Sequence, residues 1–436
     1  MNNKEALRCL LCKRPRCTEA CPAHTAVPEC MQLYREDRLD EAGEILFANN
    51  PLSAITAQVC AWRDYCYGHC VLNVKKIAVR WYEIEQEVSA RYLETVSLRR
   101  GGPGLRTFTP DARLPLSGRR IALAGAGPVG IAAAVWLYEA GADVTLMDAN
   151  PRIGGVLRYG IPPFRLDKRF VDAYERIFAD AGIRFIGGMV VGRDISLRSL
   201  SAQNDAVILA PGAGKSLKLG IPGEDHPSVM GALPYLKHPE AFDLGRKVIV
   251  IGGGNVAMDT CRTAVRSGAE VHVFYRKTFA NMPANPFEVE EAQREGVHFS
   301  LFEAPVEVRP GRDGYRCTVV FRECENTTDP ETGKTVTRIL DGTDHEVPCD
   351  SLLLAISERP SLGLFGDMVP VINRWGYPDV DAEQRILFKG PDGTDASAAP
   401  TNIYTAGDFL LGPKTVVHAV ATARTAVEAI IQSLRP

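Results

Sequence analysis

The run from Ile121 to Gly155, IALAGAGPVGIAAAVWLYEAGADVTLMDANPRIGG, constrains this chain more than any other stretch. A short apolar segment (Ile121 to Ala124) enters Gly125-x-Gly127-x-x-Gly130, a helical pattern follows, and a second apolar segment (Val144 to Met147) ends in Asp148. Strand, glycine turn, helix, strand and acid follow one another within the length of a dinucleotide-binding βαβ unit. Gly125 permits the tight turn, and Gly127 lets the backbone approach a pyrophosphate. Gly130 lets the helix pack against the strand, and the helix N-terminus at Pro128 faces the phosphate charge. Asp148 stands where a carboxylate accepts ribose hydroxyls. Gly154-Gly155, followed by Val156, lets the chain cross tightly over the dinucleotide, which makes FAD the first choice of ligand.

A second signature begins at Lys247. An apolar strand runs into Gly252-x-Gly254-x-x-Ala257, with Asn255 and Val256 opening the next helix. The following strand, Glu270 to Tyr275, ends in Arg276-Lys277 instead of an acid. A carboxylate there favours an unmodified ribose, whereas adjacent cations suit a 2′-phosphate, so NADP is preferred over NAD. Asn255 is placed to hydrogen-bond a pyrophosphate or the nicotinamide ribose.

Between and after these signatures lie further flavin candidates. Arg165 follows the glycine-rich stretch closely enough to reach a flavin phosphate or ring edge. The buried-strand pattern Asp205 to Leu209 ends in Ala210-Pro211-Gly212, a turn that crowds a flavin. Asn402 to Asp408 (NIYTAGD) sets Gly407 and Asp408 at a strand end, within reach of ribityl hydroxyls. The last helix opens near Val417, where its dipole would stabilise negative charge on a reduced ring. His418 at that helix opening is read as structural.

The cysteines are unevenly placed: of 12, eight fall at positions 9, 12, 17, 21, 30, 60, 66 and 70. Cys9-x2-Cys12-x4-Cys17-x3-Cys21-Pro22 resembles bacterial ferredoxin runs, and Cys60-x5-Cys66-x3-Cys70 supplies a second group. Zinc also accepts Cys-x2-Cys, but it prefers two similar pairs, not seven cysteines arranged four plus three. Cys30 fits neither group and reads as a small buried residue. Around the cysteines the pattern is helical, with helices expected over Val27 to Arg35 and Leu39 to Phe47, the second stopped by Asn49-Asn50-Pro51.

Lys plus Arg is 50 and Asp plus Glu is 53, a formal net charge of −3 that offers no electrostatic case for nucleic acid or membrane binding. The N-terminus lacks the basic-then-apolar plan of a signal peptide, and no apolar run reaches spanning length, so a cytoplasmic protein is expected. A disulfide framework is unexpected in a long chain of that compartment, so the clustered cysteines point to a metal or cluster. The fold class expected is α/β, with two Rossmann-like domains, the NAD(P) one inserted in the FAD one, behind an α-helical iron–sulfur domain. The boundaries expected are 1–98 (helical), 99–117 (Gly/Pro/Arg-rich linker), 118–240 (first FAD segment), 241–350 (NAD(P) domain) and 351–436 (second FAD segment). The charged stretch 323–338 reads as a solvated hairpin.

Taken in order, the two cysteine groups, GAGPVG, GGVLRYGIPPFRL, GGGNVAMD, the YRK strand end and TAGD resemble the small-subunit family of NADPH-dependent glutamate synthase. That family includes the flavin-containing N-terminal half of dihydropyrimidine dehydrogenase. The resemblance implies two [4Fe-4S] clusters, one held by Cys9, Cys12, Cys17 and Cys70. The other would be held by Cys21, Cys60, Cys66 and a side-chain oxygen, for which Glu83 is the first candidate and Gln86 the second. Gly125, Gly127, Gly130, Asp148, Arg165 and Asp408 match flavin-contacting positions, and Asn255, Arg276 and Lys277 match nicotinamide-cofactor positions. There are departures. Lys277 replaces a frequent second arginine, Ala355-Ile356-Ser357 replaces Ala-x-Gly, and Ala423 stands where the last helix often has glycine.

The function expected is electron transfer between NAD(P)H and a partner catalytic subunit, in either direction, through FAD and the clusters, with a hetero-oligomer implied. No amino-acid acid or base is required. A thioredoxin reductase-like activity would need a redox cysteine pair, and the nucleotide-binding part offers Cys261, Cys317, Cys324 and Cys349 with no Cys-x-x-Cys. A third reading, a sensor that binds these groups without turnover, predicts a flavin that NADPH leaves oxidised.

Overall fold

The computed structural model describes residues 3–98, 114–330, 335–390 and 402–435. Most of the expected linker, residues 99–113, therefore lies outside the described residues. The chain divides into two units, one of residues 1–158, 163–213 and 360–436, the other of residues 159–162 and 214–359.

The first unit begins with helices. Val27–Arg35 and Leu39–Asn49 form where the apolar spacing places them. Asn50 stops the second: its N–H still reaches the Leu46 carbonyl (2.7 Å), but its side-chain oxygen turns to accept from Leu52 N (3.0 Å). The longer helix Trp81–Leu98 packs against them through Trp81, Ile84 and Val88, all at most 2% exposed, beside Met31, Tyr34 and Leu46. Each such large apolar side chain contributes about 1.5–3 kcal/mol on burial. Cys30, at 1% exposure, belongs to this core.

Behind them stands a five-stranded parallel sheet in the order Ile403–Thr405, Ala206–Leu209, Arg120–Ala124, Asp143–Asp148, Arg184–Gly187. Both central strands read as unbroken apolar runs because helices cover the sheet. Helices Pro128–Glu139 and Val416–Leu434 pack on each other, and both bury small residues, among them Ala132, Ala133, Ala423 and Ala426, all 0% exposed. The front helices dock on this layer: Trp136 Nε1 donates to the Ala48 carbonyl (2.9 Å), and the Tyr174 hydroxyl donates to the Pro51 carbonyl.

The second unit holds another five-stranded parallel sheet, in the order Val229–Gly231, Ser351–Leu354, Lys247–Ile251, Glu270–Tyr275, His298–Leu301. Beside it lies an antiparallel sheet of Glu303–Pro310, Cys317–Thr328, Thr335–Ile339 and His345–Cys349. The charged stretch is the hairpin between Cys317–Thr328 and Thr335–Ile339. Two strands that the sequence analysis assigns to the FAD segments, Val229–Gly231 and Ser351–Leu354, lie in this unit's sheet. The apolar run 351–354 pairs in register with Val248–Ile251, a preference composition alone does not reveal. Among the described residues no helix is long and apolar enough to cross a membrane.

Candidate cofactor sites

At the first glycine turn, Gly125 has φ +121°, and a Cβ there would stand 2.1 Å from the Ala210 carbonyl oxygen. A Cβ on Gly130 would meet the Gly125 oxygen at 2.0 Å, so both positions are closed to any side chain. Gly127 differs, because its Cβ would meet only Gly155 Cα, at 3.8 Å. That residue caps helix Pro128–Glu139, leaving the first helix amides bare beneath open space. Gly155 (φ +52°) crosses over it so closely that a Cβ on Gly155 would lie 2.7 Å from Gly127 Cα. Val156, next in line, is 41% exposed.

Asp148 is fixed at the end of its strand. One carboxylate oxygen accepts from Ala126 N (2.8 Å) and the other from Asn150 N (2.7 Å) and Asn150 Nδ2 (2.9 Å). The oxygen bonded to Ala126 keeps a lone pair for a further donor, while the other is filled by Asn150. Arg165 is half-buried, and Gly212 has φ +72° with nothing within 4 Å of its would-be Cβ. Gly407 (φ +69°) donates to Thr422 Oγ1 (2.9 Å) and carries Asp408, which accepts from Lys414 N (3.2 Å). Burial pushes the Asp408 carboxyl up to about 6, against that one hydrogen bond. Such a group gains from hydroxyl donors. Val417 is buried in the first turn of Val416–Leu434, while Thr415 at the N-cap is bonded to His418 Nδ1 (2.8 Å) and not to the helix amides. The turns, the bare amides and the two carboxylates fit a flavin dinucleotide.

The second turn, in the other unit, repeats the first. Gly252 has φ +140°, with the Ala355 oxygen 2.2 Å from a would-be Cβ, and Gly254 faces only Pro283 at 3.9 Å. Asn255 spends its side-chain oxygen on Asn285 N (2.9 Å), which anchors the neighbouring loop and leaves its amide for a ligand. Val256 is half-buried beside it. At the adjoining strand end Arg276 is exposed, and Lys277 Nζ donates to the Thr335 carbonyl (3.3 Å).

The cysteines form two adjacent groups. Cys9, Cys12, Cys17 and Cys70 line one cavity, with Cys66 also on its wall. Leu11, inside the Cys9-x2-Cys12 loop, is held at φ +48°, a left-handed conformation that leucine avoids, between two cysteines that both line the cavity. Cys21, Cys60 and Cys66 lie within electrostatic reach of one another. Burial pushes Cys17 up to about 11 and raises Cys9, Cys60 and Cys66. Thiolates there need a cation to be stable, which iron–sulfur ligation supplies. Among the described residues no three His, Cys, Asp or Glu converge as one metal ion would require.

Of the oxygen donors expected for the second group, Glu83 binds Arg80 Nη1 (2.9 Å) and Gln86 is exposed. Glu85, absent from the sequence reading, is the carboxylate whose charge bears on Cys60 and Cys66. Burial pushes it up to about 7, against a hydrogen bond with the Trp81 side chain. Helical periodicity carries the signal: Trp81, Ile84 and Val88 are the buried stripe, and position 85 falls within it while 83 and 86 do not.

Two of the scattered cysteines also meet. Cys317 and Cys349 are cross-strand partners with Sγ atoms 3.4 Å apart, both 0% exposed, so no dithiol substrate has access to either. Cys261 is buried in its helix, with Sγ donating to the Met258 carbonyl (3.2 Å).

The family model described as dihydropyrimidine dehydrogenase domain II, 4Fe-4S cluster, matches residues 1–96. That described as pyridine nucleotide-disulphide oxidoreductase matches residues 194–423. The chain is 33% identical to the glutamate synthase [NADPH] small chain of Escherichia coli, over 99% of this chain and 91% of that one. It belongs to the glutamate synthase small-chain family. Members of this family are oxidoreductases, and this one carries a 4Fe-4S domain ahead of a pyridine nucleotide-disulphide oxidoreductase domain. The putative oxidoreductase AegA of E. coli is also 33% identical over 99% of this chain, which spans only 65% of AegA. Over 72% of its length the chain is similar in fold to Mycobacterium tuberculosis FprA in complex with NADPH, with a TM-score of 0.59 and 21% identity over 84% of that chain.

Proposed function

We propose that this glutamate synthase small-chain homologue moves electrons between NAD(P)H and a partner catalytic subunit, through FAD and two [4Fe-4S] clusters, in the cytoplasm. The observation that carries the reading is the identity to the E. coli small chain along nearly the whole sequence. When bound, the flavin takes up a hydride as an electron pair and releases electrons singly to the iron–sulfur centres.

The chain's own residues bind, orient and insulate. Gly127, Gly155 and the amides after Pro128 receive the FAD pyrophosphate, with Gly125 and Gly130 closing the turn beneath it. Asp148 accepts the ribose hydroxyls and Asp408 the ribityl ones, while Arg165, Val156, Gly212, Gly407 and the Val417 amide border the ring system. Gly252, Gly254, Asn255 and Val256 receive the pyridine nucleotide, and Arg276 with Lys277 selects the 2′-phosphate of NADP over NAD. Cys9, Cys12, Cys17 and Cys70 hold one cluster. Cys21, Cys60 and Cys66 hold the other, with Glu85 as fourth ligand in place of Glu83 or Gln86.

The partner accepts or donates the electrons and performs the substrate chemistry. A glutamate synthase large subunit, a dihydropyrimidine dehydrogenase catalytic subunit or another oxidoreductase module suits this role, in a hetero-oligomer. Copurification of the native protein followed by mass spectrometry identifies it. Anaerobic mixing with NADPH tests the reading: the flavin absorbance bleaches within seconds if it is right and stays unchanged if the chain is a sensor.

A further inference from the structure

The cavity of Cys9, Cys12, Cys17 and Cys70 opens on a surface that is apolar at its centre. Leu7 is 70% exposed, Leu10 62% and Val74 83%, with Ile77 beside them. They come from two distant segments that the fold joins, since Arg8 donates to the backbone carbonyls of Ile77 and Ala78. Leu10 itself lines the cavity with Val71 and Leu72. An ordinary soluble surface scatters such residues singly; gathered together they mark a contact site.

The rim is basic. Lys4, Lys13, Arg14, Arg16, Lys75 and Lys76 are exposed, and none is paired with a carboxylate among the described residues. Glu19 is the one exposed acid among residues 4–19 and 71–77, Glu29 beside the cavity-lining Pro28 is a second nearby, and Glu5 is buried against Arg8 and Arg80. The whole chain carries a net charge of −3, so this positive field is local.

We propose that this face docks an electron-carrying protein whose own contact surface is acidic around an apolar centre. The proposal rests on the electron-transfer reading above. An apolar centre inside a charged rim is the plan of a specific interface, and complementary charge steers encounter and sets register. Anionic lipid would also meet a basic, apolar surface, but a membrane has no use for a thiol-lined cavity at its middle; a redox partner does. Oxidation of one NAD(P)H releases two electrons and one proton, so two one-electron carriers are reduced in turn at this face.

The test is calorimetric titration of the flavin- and iron-loaded protein with an acidic plant-type ferredoxin. Basic cytochrome c and phosphatidylserine vesicles serve as rival probes, and the quadruple variant K13E/R14E/K75E/K76E as the altered surface. The natural chain is expected to bind ferredoxin with an affinity that falls as salt rises, and the variant to lose about tenfold or more. A Leu7→Ser/Leu10→Ser variant is expected to weaken binding without changing its salt dependence. No ferredoxin binding by the natural chain, equal binding by the charge-reversed one, or stronger binding of cytochrome c or vesicles overturns the proposal. Bleaching of the flavin by NADPH, measured on the same samples, reports on the electron-transfer reading separately. Ferredoxin binding without bleaching leaves the docking face standing and removes that reading.

Discussion

The Tyr65 hydroxyl stands 3.3 Å from Nδ1 of His418, with the two rings edge to face at 5.8 Å. Tyr65 lies between Cys60 and Cys66, and His418 lies in the first turn of the last helix, next to Val417 and near Asp408. This contact joins the second cysteine group to the flavin candidates inside one unit. Burial and the nearby Lys414 charge lower the His418 pKa, so at neutral pH the imidazole is a hydrogen-bonding partner and not a charge. Replacing Tyr65 with phenylalanine removes a hydrogen bond worth about 0.5–1.5 kcal/mol and keeps the ring contact. Alanine removes both. Stopped-flow measurement is expected to show electron passage from flavin to iron slowed more by alanine than by phenylalanine, with bleaching by NADPH unchanged in both.

Burial raises the Asp408 carboxyl, a cost that hydroxyl donors of a bound flavin would relieve. Its folded-state pKa is about 6 against an ordinary 3.8, so the contribution of the protonated form is complete below 3.8 and is lost as pH rises through about 6. Asp408→Asn in the flavin-free protein is expected to be more stable than the parent near pH 8, by up to about 3 kcal/mol. The gain shrinks to nothing towards about pH 4. The same variant is expected to bind FAD more weakly. Urea unfolding at several pH values checks the first part and flavin titration the second.

Ser357 occupies φ +133°, a region that side chains avoid, at the position where the resembled family has glycine. It is exposed, and its carbonyl accepts from Leu217 N (3.2 Å), which holds the conformation in place. Strain of this kind costs about 1–3 kcal/mol, partly offset by the greater unfolded-state entropy of glycine. Ser357→Gly is expected to raise stability by about 1 kcal/mol in urea unfolding.

Glu85 and Glu83 are separable by metal analysis. Glu85→Ala is expected to lower iron and sulfide content and to remove the spectroscopic signal of one cluster, leaving the other. Glu83→Ala, which breaks only the exposed pair with Arg80, is expected to leave both signals intact.

Neutralising Arg276 and Lys277 together is expected to raise the NADPH KM by tenfold or more, roughly the effect of losing a charge-assisted phosphate contact, and to leave the NADH KM nearly unchanged. Steady-state kinetics with both coenzymes checks this, and equal effects on the two refute the phosphate assignment.

Local chemistry was legible in the sequence where a few adjacent residues dictate the backbone. The turns at Gly125 and Gly252 were readable because spacing alone reports where a Cβ has no room. The helix Val27–Arg35 was readable because its apolar stripe has a helical period. What escaped is set by partners far along the chain. Ser351–Leu354 is an apolar strand that could join either sheet, and its register with Val248–Ile251 decides which. Cys317 and Cys349 look isolated until strand pairing sets them opposite each other. The resemblance points first to Glu83, whereas the turn of the helix from Trp81 brings the charge of Glu85 to bear on Cys60 and Cys66, and that facing depends on how the helix packs. The Tyr65–His418 contact spans most of the chain and leaves no local mark.

The central claim is that electrons enter from NAD(P)H at the flavin and leave through iron held by the front cysteines. Anaerobic titration of the loaded protein with NADPH, followed by flavin absorbance and by electron paramagnetic resonance of the iron, tests it most directly. The account predicts that the flavin bleaches and that reduced iron–sulfur signals then appear; replacing Cys60 and Cys70 removes the iron–sulfur signals and leaves the bleaching. A protein that contains zinc in place of iron and sulfide, or a flavin that NADPH leaves oxidised, would contradict it.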